Sequence, residues 1–399
     1  MSDTVSLEGL FKSNYDSSSK IFAEQQNLAA PSWKKPSVSP QKPSAIGFVT
    51  VVTMSGNELG GAMNETESFQ TPESLNPVQA TITIREINWP FTVTGRAIAL
   101  SQNDQQAFAS SLDAQMKDNM NRMMSDINRQ FLGKGTGQMS LANGAGVATT
   151  TLVVDNALPF RRGMRIDSYL ILAGAKEING AYITAVNYAT NTLTLNANQT
   201  WSDNSIIVKY NINSGAPVGG KEITGLQAMC DTTAFSSTYE GISVAANPEW
   251  VGNVVDAGVA PVSQDLLQQT WNRTYTIGGG RPNYMISNVG QARTFLNTEL
   301  QKTRYAPEEV KAGHTVLKWN ELEWLIDKDY DIKEVGMYDM NYIQKFQAAE
   351  PAISRISGND VYQITGSNQI GGYYTYYGNV GTHKRNAHAR LTNLTEPTF

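Results

Sequence analysis

Enzyme chemistry needs nucleophiles, bases or metal ligands at workable spacings, and this chain offers few. Its three histidines are His314, His383 and His388. The last two, in THKRNAHAR, stand five residues apart on a segment with strand character, so the spacing predicts opposite faces rather than a shared ligand. None of the three has a metal-ligand spacing. The single cysteine, Cys230 in QAMCDTT, has no histidine near it and excludes both an intrachain disulfide and a thiolate cluster. A catalytic triad requires a nucleophile, a base and an orienting acid, and no GxSxG elbow occurs. GKGTG at 133–137 has the composition of a phosphate cradle, but a P-loop passes from strand to helix through GxxxxGK and then Ser or Thr. Here the glycines follow a helical pattern instead. TIGGGRPNY at 276–284 reads as a turn from helix to strand, and both stretches are loops where small residues let the backbone bend. Glu308 with Glu309, and Asp327 with Asp329, read as solvated charge. The residue types thus predict no catalytic residue, cofactor or metal, and no enzyme.

The elements around these residues carry more information. A chain of 399 residues exceeds the size at which one hydrophobic core stops growing, so several structural regions are expected. The apolar share is 40%, adequate for folded cores, while the charged share of 17% is below the usual value of about 25%. Either neighbouring subunits cover much of the surface, or the protein is β-rich with a neutral polar surface. A net charge of -5 argues against a dedicated nucleic-acid binder, which presents a basic face to phosphate. Weak contact with DNA is compatible with it. The N-terminal stretch lacks an apolar h-region and no run approaches the ~18 apolar residues of a membrane span. A protein made and folded in a cytoplasm, without a membrane partner, is expected.

Residues 1–45 end in APSWKKPSVSPQKPS, where Pro31, Pro36, Pro40 and Pro43 favour an extended arm. GFVTVV and ATITIREI then alternate as strands on either side of a long polar loop. Pro90 places the end of the second strand at an edge or bulge. The loop carries Glu58, Glu65, Glu67 and Glu73 but no Lys or Arg. An isolated two-stranded ribbon is marginal in water, so this one must lie along something else. In SQNDQQAFASSLDAQMKDNMNRMMSDINRQFLG, Phe108, Leu112, Met116, Met120, Met123, Ile127 and Phe131 recur at steps of four or three, which predicts one packing face of a long helix. Ser101 with Asp104 resembles an N-terminal cap, and Gly133 suits the position after the last turn. Short strand patterns at 148–214 predict a small barrel or sandwich, 215–345 alternates as α/β, and the chain returns to β at its end.

This order resembles the major capsid proteins of tailed bacteriophages, the Hong Kong 97-like fold, across nearly the whole chain. The resemblance implies an α+β protein with an N-terminal arm (1–45), an E-loop hairpin (46–94) and a peripheral domain with its spine helix (95–147). An inserted β-barrel-like domain (148–214), an axial domain (215–345) and peripheral return strands (346–399) would follow. GKGTG looks like the turn after the spine, PEWVGNVVDAGVAPVSQDLLQQTWNRTYTIGGGRPNYMISN like the entry to the axial domain, and YYGNVGTHKRNAHARLTNL like the closing strands.

What the resemblance implies for function is a structural subunit that self-assembles into hexamers and pentamers of an icosahedral head enclosing double-stranded DNA. It would be made in a bacterial cytoplasm and reside in the virion. Its E-loop residues Glu58, Glu65, Glu67, Glu73 and Phe69 would lie on a neighbouring copy, with Arg161 and Arg162 as candidate contacts. Two departures narrow the expectation. Residues 46–84 contain no Lys, which argues against the isopeptide cross-link some relatives make, and 45 residues are too few for a built-in scaffolding segment. A separate scaffolding protein and a portal are therefore expected, together with a decoration protein if the insert receives one. The rival readings are an encapsulin-type nanocompartment shell of the same fold and a β-rich tail component or adhesin.

Overall fold

The computed structural model describes residues 47–55, 62, 68, 76–95, 105–170, 174, 176–210, 221–231, 237–300, 310–311, 314–315, 317–354, 362–364 and 366–395. The predicted alternation forms an antiparallel ribbon of β1 (Gly47–Ser55) and β2 (Asn76–Thr83), with Gly47 opposite Thr83 and Ser55 opposite Asn76. The arm and the acidic loop residues Glu58, Glu65, Glu67, Glu73 and Phe69 lie outside the described residues, as does the Ser101–Asp104 cap. The expected hairpin over 46–94 is corrected. Its ladder stops at Thr83, and β3 (Arg85–Thr94) pairs instead with the distant β21 (Gln369–Thr382), Arg85 opposite Gly378 and Thr94 opposite Gln369. Pro90 does not end this strand. β3 pairs on one side only among the described residues, where a missing N–H is tolerated.

Helix α1 (Gln105–Leu132) follows, and its 3.6-residue period brings Met116, Met120, Met123, Ile127 and Phe131 to one buried face. That face covers Ile87 and Phe91 of β3 and Tyr374 and Tyr376 of β21. Phe131 meets Tyr376 edge-on, with ring centroids 6.1 Å apart, and the Tyr374 hydroxyl donates to the Met116 carbonyl at 3.2 Å. After the last turn, Gly133 N–H reaches the Arg129 carbonyl at 3.0 Å. The side chains of Phe108 and Leu112 are outside the described ones.

The insert is a barrel of β4 (Gln138–Leu141), β5 (Gly146–Val153), β6 (Arg165–Tyr169), β7 (Lys176–Asn187), β8 (Thr192–Trp201) and β9 (Ile206–Lys209), in the order β4-β9-β6-β7-β8-β5. A bridge between Ala142 and Val154, flanked by the bonds Asn143 N to Val153 O and Asp155 N to Leu141 O, joins the first strand to the last. This bridge closes the sheet at one point, just beyond the ends of β4 and β5. The module therefore begins at Gln138, not at residue 148, because β4 pairs with β9 as a strand of the same sheet. Leu152, Ile166, Ile178, Ile183, Leu193 and Trp201 fill its own core, separate from the one beneath α1.

Beyond it come α2 (Leu226–Met229), the two-residue strands β10 (Thr238–Tyr239) and β11 (Ile242–Ser243), β12 (Asn253–Ala260), α3 (Gln264–Gly278), β13 (Tyr284–Ser287) and α4 (Val289–Leu300). They are followed by β14 (Val310–Lys311), β15 (His314–Thr315), β16 (Leu317–Trp319), β17 (Leu322–Ile326), β18 (Val335–Tyr338), β19 (Ile343–Ile353), β20 (Tyr362–Gln363), then β21 and β22 (Ala389–Leu394). A mixed sheet runs β12-β22-β18-β13-β17-β16. Leu267 of α3 and Phe295 of α4 pack on it with Trp324, Met337 and Leu391. Ser263 caps α3 by accepting from Leu266 N–H, and Gly279 ends it at φ 56°. The expected unit 346–399 is split: β21 pairs with β19 and with β3, whereas β22 enters the mixed sheet between β12 and β18.

Where these parts meet, the fully buried Arg385 guanidinium donates to the carbonyls of Met229 (2.8 Å), Asp231 (2.8 Å) and Trp250 (3.2 Å) and lies over the Tyr239 ring. Next to that ring, the Glu240 carbonyl accepts from Thr81 N–H of the ribbon at 2.7 Å and its carboxylate from Thr382 N–H at 2.9 Å. Burial pushes the Glu240 carboxyl up to about 8, against the Thr382 N–H, the Tyr239 hydroxyl and Arg385. The ribbon is thus anchored at its base by the Glu240 main-chain carbonyl, beside a carboxyl that burial favours in its protonated form.

Replacing Phe131 by Ala should cost about 3–5 kcal/mol, measured by urea unfolding; a cost below about 1 kcal/mol would show that α1 is not held through this face. Glu240 has a model-peptide value of 4.5. Between pH 4.5 and about 8 the unfolded chain releases this proton and the folded one keeps it, so stability falls as pH rises. Glu240→Gln removes that slope. Its melting temperature should gain on the wild type from pH 5 to pH 8, and parallel curves would refute the assignment.

Candidate functional site

The residues with chemical potential serve as structure where they are described. His388 is buried, and Asp339 N–H donates to its Nδ1 at 3.2 Å. The ring proton must then sit on Nε2, which faces Thr382 Oγ1 at 2.8 Å. The imidazole donates to that hydroxyl and cannot act as its base. Burial lowers His388 to about 3, so it stays neutral. His383 lies against Phe346 and His314 is on β15. His383 and His388 do not share a strand, because a 3-10 turn at Arg385–Ala387 separates them. The Cys230 thiol is buried and pushed up to about 12, which removes thiolate character at neutral pH. Among the described residues no group of His, Cys, Asp or Glu is arranged to hold a metal ion, and no helix is long and apolar enough to cross a membrane.

The glycine-rich loops have packing reasons. Gly135 and Gly137 adopt φ 74° and 78°, and the Thr224 backbone lies against Gly135. Gly278 and Gly280 let the end of α3 touch the backbone of Asn386 and Ala387. Asp327 and Asp329 are not the solvated pair the sequence suggested. Asn128 of α1 donates to both at 3.1 Å, and burial raises Asp327. Glu308 and Glu309 lie outside the described residues.

A charged cleft of about 360 Å³ separates α1 and β3 from the barrel. Asp126 of α1 stands at its base, bonded to Lys209 of β9 at 3.2 Å and to Arg129 at 3.2 Å. Burial alone would raise this carboxyl, but Lys209 and Arg129 outweigh it and hold it at about 2. Arg129 also makes a two-pronged pair with Glu222 at 2.6 and 3.2 Å. The Lys209 ammonium lies 3.7 Å from the Trp89 ring centroid. Around this neutralised base stand Arg161, Arg162 and Arg165. Arg161 and Arg162 are exposed; Arg161 donates to Ser125 Oγ at 3.1 Å, and Arg165 stacks on Tyr210 with its guanidinium 3.9 Å from the centroid. No described carboxylate pairs with any of these three arginines. Arg161 and Arg162 were candidates from the sequence; Arg165, Lys209, Tyr210 and Trp89 were not, although RRGMR at 161–165 already carries three arginines in five residues.

No protein-family model and no curated protein matches the chain. Among solved structures it is similar to the capsid of cyanophage A-1(L), with 90% of each chain covered, a TM-score of 0.54 and 10% identity. The SrpI encapsulin of Synechococcus elongatus PCC 7942 covers 92% of this chain and 88% of its own, at a TM-score of 0.47 and 9% identity. The capsid of the native GTA particle covers 88% and 85%, at 0.46 and 10%. An α+β chain with this order of ribbon, long helix, barrel and mixed sheet has the fold of a phage capsid protein.

Proposed function

We propose that the protein is the major capsid protein of a tailed phage, assembling into hexamers and pentamers of an icosahedral head around double-stranded DNA. The observation that carries this reading is the fold it shares with the cyanophage A-1(L) capsid over 90% of both chains. In this reading β1 and β2 with their loop are the E-loop, α1 is the spine helix, β3 with β19 and β21 forms the peripheral sheet, and the mixed sheet is the axial domain. A ribbon whose strands pair only with each other along most of their length gains its remaining burial from a neighbour. Many weak contacts of this kind become cooperative when symmetry closes the shell. A separate scaffolding protein, a portal and a decoration protein are the partners this function calls for, and the subunit performs no catalysis.

Expression with the adjoining genes, followed by electron microscopy of the sedimenting fraction, tests the proposal. Closed shells of uniform diameter are expected, containing DNA when a packaging motor is present. Shells that instead enclose a co-purifying enzyme would establish a nanocompartment. A monodisperse monomer at high concentration would refute both.

A further inference from the structure

We propose that the cleft between α1 and the barrel binds a small anion carrying two or more phosphate groups, gripped by Arg161, Arg162 and Arg165, and that the bound anion clamps the barrel to α1. The cleft encloses about 360 Å³, within the roughly 300–1,000 Å³ of small-molecule sites. Its other charges are already satisfied. Arg122 pairs with Asp118 at 2.7 Å, Arg129 with Glu222 and Asp126, and Lys209 with Asp126. Asp329 accepts from Asn128 at 3.1 Å and from Lys328 at 2.6 Å. What remains is three guanidinium groups with no described carboxylate partner, so the opening is net positive.

The fold holds these groups in place before any ligand arrives. Residues 161–164 form a turn closed by Met164 N–H on the Arg161 carbonyl at 3.2 Å, with Gly163 at φ 83°, where a side chain would be strained. The turn is tied to β7, because Gly163 N–H donates to the Ile183 carbonyl at 2.8 Å and Ile183 N–H to the Met164 carbonyl at 2.9 Å. The Arg165 guanidinium lies over the rings of Tyr210 and Tyr182, 3.9 and 4.7 Å from their centroids, and its Nε donates to the Gly180 carbonyl at 3.2 Å. A guanidinium stacked in this way offers an anion its N–H edge. Arg161 already reaches across to Ser125 of α1, so an anion held there touches both walls. Phosphate suits such a site, since each group brings up to about two charges and three acceptor oxygens that guanidinium forks take in pairs. A volume this small accommodates a few phosphate groups rather than a length of polymer.

Calorimetric titration of the full-length, unassembled subunit with sodium tripolyphosphate tests this, at about 150 mM salt so that diffuse attraction is screened. One saturable site per chain is expected. R161Q/R162Q should weaken it about tenfold or more, whereas R273E, an equal change of net charge on the exposed side of α3 and outside the cleft, should leave it within about twofold. Absence of saturable binding, wild-type binding by R161Q/R162Q, or an equal loss in R273E overturns the site. Hydrogen exchange of the wild type tests the clamp and decides the matter if the glutamine variant does not fold: tripolyphosphate should protect both 122–129 and 158–165. Protection of one wall alone overturns the clamp, and protection of neither overturns the site. Single-stranded oligonucleotides of increasing length separate a free anion from a nucleic-acid backbone. Affinity per phosphate no better than that of tripolyphosphate sustains the small ligand, and affinity that climbs with length overturns it in favour of the backbone.

Discussion

A guanidinium removed from water must find acceptors for its N–H groups, and much of this structure is arranged so that Arg385 finds them. It uses the carbonyls of Met229, Asp231 and Trp250. Backbone carbonyls do not titrate, so the clamp is insensitive to pH. The carbonyls at 229, 231 and 250 surround the side chain, with Tyr239 against the guanidinium and Glu240 beside the ribbon. Three residues further on, His388 joins β21 to the turn after β18 through Thr382 and Asp339. Arg390 then reaches Glu334 and Asp231. One desolvated cation thereby ties the ribbon, the mixed sheet and the core under α1 into a common frame.

The barrel is attached on different terms. Its core is its own, and the described contacts with α1 and β3 are polar or cation–π: Lys209 with Asp126 and Trp89, Arg161 with Ser125. Such a boundary resembles an interface between domains more than the interior of one. It also keeps guanidinium groups at the surface. An apolar seam would have excluded Arg161 and Arg162, since an unpaired charge is costly to bury.

Fold and role are separate matters, since shells built on one architecture enclose different contents. A net charge of -5 on the chain conceals local differences: the loop with Glu58, Glu65, Glu67 and Glu73 has no Lys or Arg, whereas RRGMR carries three arginines in five residues.

Local periodicity made the regular elements legible. Met116, Met120, Met123, Ile127 and Phe131 lie on one face because helical geometry places residues three and four apart together whatever surrounds them. The α3, β13 and α4 alternation and the four-Glu loop were legible on the same local grounds. Partnership across the chain was not. That β3 abandons β1 for β21, that β4 joins the barrel, and that β22 enters the mixed sheet depend on pairings between residues far apart in the chain, as in Glu86 with Tyr377, 291 residues away. The same holds for chemistry. The sequence by itself determined which charges exist and which helix face is apolar; only the tertiary structure decided that Arg385 and His388 are shut away from water and that three arginines face an open cleft. Burial and electrostatic pairing belong to residues brought together by folding, and no local spacing encodes them.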